Sequence, residues 1–154
     1  MHLTLAFLGE VPRSRLEEIL EALGRKEASP VGPFRLAARG IGTFPQGGRP
    51  RVIWAGIVGD LGAAERLKKA LDAALEPLGF RDEERGFRPH LTLGRLSEGR
   101  AQEDWRSILE PLAGREFGSF EVGASALYES RLLPQGAQYS VLRRFPLDAT
   151  VAAG

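Results

Sequence analysis

HLTLAFLG at residues 2–9 and HLTLGR at residues 90–95 decide how this chain is read, because they hold its only two histidines, each at the head of the same tetrapeptide. Both runs have the apolar alternation of a half-buried strand. Successive strand side chains point to opposite faces. His2 and Thr4 therefore share one face and Leu3, Leu5 and Phe7 the other, and His90 and Thr92 stand opposite Leu91 and Leu93. The apolar face of each strand is expected to seal against a helix, which leaves a polar face carrying one imidazole and one hydroxyl.

Outward from the first run, Pro12 marks a turn. SRLEEILEALG (14–24) then puts Leu16, Ile19, Leu20 and Leu23 on one helical stripe, with Ser14 and Glu17 spaced as a capping box and Gly24 as the stop. FRLAARGIGTF (34–44) and RVIWAGIVG (51–59) read as an antiparallel pair across the loop PQGGRP (45–50). A helix follows in DLGAAERLKKALDAALEPLG (60–79), with Leu61, Ala64, Leu67, Leu71, Ala74, Leu75 and Leu78 at helical spacing and Gly79 at its end. Behind the second run, QEDWRSILEPL (102–112) predicts a helix with Trp105, Ile108, Leu109 and Leu112 on one face. FGSFEVGASALYES (117–130) and QYSVLRRFPL (138–147) predict strands around LLPQG (132–136).

Motif, helix, strand, strand thus occurs twice. If the halves are pseudo-symmetric, their polar faces confront each other across a cleft and bring both histidines to opposite sides of one bound group. The repeat also exposes an asymmetry, since a strand and a helix precede His90 while only Met1 precedes His2. Either the first half does without those elements or the natural chain begins earlier. The second is favoured, because a strand starting at residue 2 frays unless it is tied down.

Composition bounds the function classes. A chain of 154 residues, 43% hydrophobic and 27% charged, suits one domain or two small lobes. Twenty-one basic against twenty acidic residues leave a net charge of +1, so attraction to nucleic acid has to come from local clusters. Eighteen arginines against three lysines offer forked phosphate ligands, a bias that GC-rich coding explains as readily. The absence of cysteine excludes disulfides, thiolate metal sites and a cysteine nucleophile, and makes a reducing cytoplasm the simplest home. No window approaches the roughly 18 apolar residues of a membrane span, so no membrane partner is expected. No metal site is expected either, since two histidines without cysteine leave carboxylates to supply every other ligand.

Two imidazoles and two hydroxyls, without a carboxylate dyad or a thiolate, suit in-line displacement at phosphorus. A base takes a proton from the entering oxygen while an acid gives one to the leaving oxygen on the far side. Imidazole, with an ordinary pKa of about 6.5, serves either role near neutrality. Thr4 and Thr92 would donate hydrogen bonds to the non-bridging oxygens, where negative charge resides in the transition state. Arg95 has the fork to hold the same anion, yet strict alternation puts it on the face opposite His90, so it needs a bulge or the strand's end. Arg51 has two readings, a phosphate contact or a solvated residue at a strand entrance. Trp54, Trp105 and Phe120 read as core, with base stacking as the alternative, and Tyr128 and Tyr139 lie on strands that could border a cleft. The two motifs are chemically alike, so the residues alone do not say which histidine is the acid.

The paired His-x-Thr-x runs, HLTL at 2–5 and at 90–93, resemble those of the 2H phosphoesterase superfamily. Within it they are most similar to the bacterial and archaeal RNA 2',3'-cyclic phosphodiesterases historically called 2'-5' RNA ligases. HLTLAFLGEV (2–11), RPRVIWAGI (49–57), FRPHLTLGR (87–95) and LYESRLLPQGAQYSVLRRFPL (127–147) resemble stretches of that family in the same order. The resemblance implies one domain over residues 1–154 with an α+β, bilobal, pseudo-symmetric fold. Two antiparallel sheets would face a central cleft, with helices on the outer faces and one motif in each lobe. Family members also carry a strand and a helix ahead of the first motif, for which this sequence shows no counterpart.

For activity, the resemblance implies hydrolysis of a terminal 2',3'-cyclic phosphate on RNA to a 2'-phosphate, without metal, ATP or cofactor, and reversible 2'-5' joining of some tRNA halves. By that likeness His2 would be the proton donor to the departing 3' oxygen and His90 the acceptor that activates water; Thr4, Thr92 and Arg95 keep the substrate-binding roles read from their chemistry above, and Arg51 keeps its two readings. The expected partner is an RNA end bearing the cyclic phosphate, such as a tRNA fragment, and the expected state is a cytoplasmic monomer. Two alternatives stand beside this one: the same chemistry on a small cyclic nucleotide, and a non-catalytic RNA-end binder.

Overall fold

The computed structural model describes residues 2–45, 49–81, 87–96, 105–134 and 136–148, and in it the second HLTL run is the strand that its alternation predicts. The helices are α1 (Leu16–Gly24), α2 (Leu61–Leu75) and α3 (Trp105–Leu109). The strands are β1 (Phe34–Phe44), β2 (Val52–Gly59), β3 (His90–Arg95), β4 (Glu116–Val122), β5 (Ala124–Leu133) and β6 (Gly136–Pro146). Residues 46–48 of the predicted 45–50 loop, and 102–104 of the helix predicted from residue 102, lie outside the described residues. Among the described residues no helix is long and apolar enough to cross a membrane.

The chain forms two compact units, each an assembly of distant segments. The first takes its described residues from Met1–Leu5, Arg35–Leu61 and Arg85–Phe120, and the second from Ala6–Phe34, Gly62–Glu84 and Glu121–Gly154. Both HLTL runs fall in the first unit, so the units follow a different line from the repeat in the sequence.

The first unit holds a four-stranded sheet in the order β3-β2-β1-β4, with β1–β2 and β2–β3 antiparallel. Its apolar face carries Leu36, Ala55, Ile57 and Leu91, all buried, as the alternation of each strand requires. Arg39 pairs with Gly56 and Ile41 with Ala55, so Gly40 is an extra residue bulged out of β1. Only glycine fits there: its φ is +70°, and a Cβ would lie 2.5 Å from the Ala113 carbonyl oxygen. The Gly40 N–H donates to the Arg115 carbonyl at 2.8 Å, which ties β1 to the start of β4.

The second unit packs α1, α2 and the β5–β6 hairpin. Ile19, Ala22 and Leu23 of α1 and Ala63, Ala64, Leu67, Leu71 and Leu75 of α2 are buried, along the predicted stripes; the exception is Leu61, predicted on the α2 stripe but 38% exposed, because it is the first residue of the helix and its turn has no preceding turn to pack beside. The α2 segment ends through a 3-10 turn, Glu76–Leu78, and Gly79 in the left-handed conformation, the predicted stop. Arg15 donates from Nη2 to the Leu78 carbonyl at 2.7 Å and stacks its guanidinium 4.9 Å from the Phe80 ring centre, so one side chain caps that end and packs against it. Phe145 of β6 is buried against α1 at Gly24.

Four expectations are corrected. Residues 2–9 form neither strand nor helix: Leu3 and Leu5 are half-buried, but Phe7 is 85% exposed, and no ladder of the described sheets includes the segment. Alternation alone does not hold a strand; the backbone hydrogen bonds of a partner do. Ser14 and Glu17 form no capping box, because the chain enters α1 through a 3-10 turn, Arg13–Arg15, that places Ser14 inside the turn and Arg15 at the N-cap. Ile108 is 50% exposed, since α3 is only five residues long and presents no full stripe. Trp54, Trp105 and Phe120 are half-buried, not core.

Candidate active site

The polar face of the four-stranded sheet is read from its register. On β2 that face carries Val52, Trp54 and Gly56, alternating with Ile53, Ala55 and Ile57. His90 pairs with Gly56 and Thr92 with Trp54, so both belong to it. The next pair is Gly94 with Ile53, so β3 advances two residues while β2 advances one. Leu93 is therefore bulged, and it is 43% exposed. The extra residue reverses the parity of everything beyond it. Arg95 pairs with Val52 and joins His90 and Thr92 on one face, the bulge that its predicted role needed. A one-residue slip flips a strand's side chains to the other face.

His90 is half-buried and oriented from two sides. Its ring meets Phe44 edge-on, with centres 5.3 Å apart and planes at 79°, and Trp54 at 6.4 Å and 65°. Phe44 and Trp54 pack on each other at 5.3 Å. The indole lies over Gly42, where a Cβ would stand 2.3 Å from Cζ2, so the flat ring needs a glycine beneath it. His90 Nδ1 is 2.9 Å from the Arg88 carbonyl oxygen. A carbonyl only accepts, so Nδ1 carries the proton and donates it, and in the neutral ring Nε2 is left as the proton acceptor. Pro89 restricts Arg88 to extended conformations, which helps to hold that carbonyl in place.

The remaining predicted residues are placed as follows. Thr92 and Arg95 are exposed. Arg51 is exposed beside the site, its N–H donating to Phe44 O at 2.8 Å and its carbonyl accepting from Leu96 N at 2.9 Å. Neither Arg51 nor Arg95 meets a carboxylate among the described residues. His2 is half-buried and Thr4 exposed, both in the same unit as His90 but outside its sheet. Tyr128 and Tyr139 lie on β5 and β6 of the second unit. Sequence reasoning missed Phe44 and Trp54 as the walls of His90. The one local signal was a glycine, Gly42, two residues before Phe44, and its meaning depends on a cross-strand partner twelve residues away.

An α+β chain with antiparallel sheets that presents the sequence His-x-Thr-x twice defines a 2H phosphoesterase. The chain belongs to the 2'-5' RNA ligase superfamily, whose family model matches residues 1–132. It is 36% identical over 141 residues to an RNA 2',3'-cyclic phosphodiesterase of Aeropyrum pernix, covering 92% of this chain and 78% of that one. Among solved structures it is similar to TT0787 of Thermus thermophilus, with a TM-score of 0.75 and 35% identity over 97% of this chain and 79% of that one. It is also similar to Escherichia coli LigT complexed with 3'-AMP, with a TM-score of 0.71 and 28% identity, covering 95% and 76% of the respective chains.

Proposed function

We propose that the protein hydrolyses the 2',3'-cyclic phosphate at the end of an RNA chain to a 2'-phosphate, using His2 and His90 as acid and base, with no metal or ATP. The observation that carries this reading is the shared face of His90, Thr92 and Arg95, created by the Leu93 bulge, in a chain whose relatives are named for that reaction. A base, a hydroxyl donor and an anion-binding fork then converge on one phosphate.

In the proposed step, Nε2 of neutral His90 accepts a proton from water as the water oxygen attacks phosphorus. The bond from phosphorus to O3' breaks, and His2 in its protonated form gives its proton to that oxygen, leaving the phosphate on O2'. Thr92, Thr4 and Arg95 hold the non-bridging oxygens as charge builds on them, and Arg51 borders the same group. With the 5'-hydroxyl of a second RNA in place of water, the same displacement forms a 2'-5' linkage, as the joining of tRNA halves would require.

The test is turnover of a short oligoribonucleotide ending in a 2',3'-cyclic phosphate, with a chelator present. Wild type should open the ring to a 2'-phosphate with a bell-shaped dependence on pH. His2→Ala and His90→Ala should each remove most turnover, by about 10²–10⁴-fold if each transfers one proton. Wild-type rates in either variant, or turnover only with added divalent metal, would sink the mechanism. Binding without turnover would leave the RNA-end binder.

A further inference from the structure

We infer that Arg39 binds a phosphate of the RNA chain upstream of the reacting end, and so gives the site its preference for an oligonucleotide over a cyclic mononucleotide. This rests on the phosphodiesterase reading above and adds to it the feature that recognises a chain. Gly56 pairs with His90 on one side and with Arg39 on the other, so the three form one row across β3, β2 and β1 on the polar face. At a strand spacing of about 4.8 Å, the Cα atoms of His90 and Arg39 stand roughly 10 Å apart. The residue between them has no side chain. A Cβ there would lie 2.6 Å from the Arg39 carbonyl oxygen and 3.7 Å from Cζ3 of Trp54, so the row stays bare and Trp54 walls one side of it.

Arg39 shares this face through its direct pairing with Gly56, and the Gly40 bulge gives Gly42 and Phe44, through their partners Trp54 and Val52, the same parity as Arg39. Its side chain is exposed. Its one described hydrogen bond runs from Nε to the Gly114 carbonyl at 3.4 Å, a long contact that steadies the stem and leaves the two terminal nitrogens of the fork. Among the described residues it has no carboxylate partner. Such a guanidinium, in line with His90 across a bare strip, suits a second phosphate of the strand whose end is at His90. A cyclic mononucleotide has no such phosphate.

The experiment compares kcat/KM on cytidine 2',3'-cyclic monophosphate with kcat/KM on a short oligoribonucleotide bearing the same end. The variants are Arg39→Gln, Arg39→Lys and, as a control, Arg25→Gln in the other unit. In Arg39→Gln the ratio of oligonucleotide to mononucleotide should fall about tenfold, through KM and not kcat. The salt slope of oligonucleotide binding should become shallower by about 0.7, the value for one contact on a single strand. Arg39→Lys should recover part of the loss. An unchanged ratio, a loss in kcat alone, or an equal loss in Arg25→Gln would overturn the assignment. If wild type turns over neither substrate, the proposed reaction fails, and anisotropy titration with the cyclic-ended oligonucleotide still decides Arg39. Binding about tenfold weaker in Arg39→Gln supports it, and equal binding refutes it.

Discussion

Gly42→Ala is the substitution that best tests whether the rings around His90 set its geometry. The new Cβ would stand 2.3, 2.6 and 2.8 Å from Cζ2, Cη2 and Cε2 of Trp54, whereas ordinary contact begins at 3.4 Å. The indole must therefore withdraw by about 1 Å, or the β1–β2 pairing must open by as much. Overpacking of this kind costs about 1–3 kcal/mol. At about 2–4 °C per kcal/mol for a chain of this size, melting should fall measurably. Trp54 touches Phe44, and both pack on His90, so the displacement should reach the imidazole. A misplacement of about 1 Å at a reacting group can cost around 10²-fold in rate.

The assay is kcat on a cyclic-phosphate oligonucleotide beside thermal unfolding, for Gly42→Ala, Trp54→Phe and the pair together. Trp54→Phe removes the benzo ring that collides, and it gives up no hydrogen bond, because Nε1 is buried without a partner. The double variant should regain much of the turnover and stability lost by Gly42→Ala, a coupling that a cycle reads directly. Wild-type turnover and melting in Gly42→Ala would refute the reasoning. Equal losses in the single and double variants would do so too.

Two further outcomes are expected. Thr92→Ala and Arg95→Ala should each lower turnover of the cyclic phosphate, Thr92→Ala by at most about 2.7–4 kcal/mol in transition-state free energy, and inorganic phosphate should inhibit Arg95→Ala less than wild type; undiminished phosphate inhibition would remove Arg95 from the site. In the second unit, buried Lys68 donates to both oxygens of Asp72 at 2.6 Å. Asp72→Ala should lower stability by about 1–3 kcal/mol, because it takes a charged acceptor from a buried ammonium, whereas Lys68→Met should cost less; the reverse order in denaturant titrations would contradict this.

Much of this protein is legible from its sequence. Helical stripes, the Gly79 stop, the antiparallel pair at 34–44 and 51–59 and the duplicated tetrapeptide are local patterns, and a local pattern needs only neighbouring residues to be read. The family follows from them, because its motifs are short and carry their chemistry in residue type. What the tertiary structure decided is non-local. No periodicity indicates that Leu93 bulges, since a bulge exists only against the register of β2, yet that one residue moves Arg95 onto the face of His90. Gly42 beneath Trp54, Gly56 between His90 and Arg39, and the Arg88 carbonyl that fixes the imidazole's tautomer are likewise relations between chain segments brought together by folding. The first HLTL run shows the same rule from the other side. Its alternation is as regular as that of β3, and it forms no strand, because strand structure belongs to a hydrogen-bonded pair and not to either sequence alone.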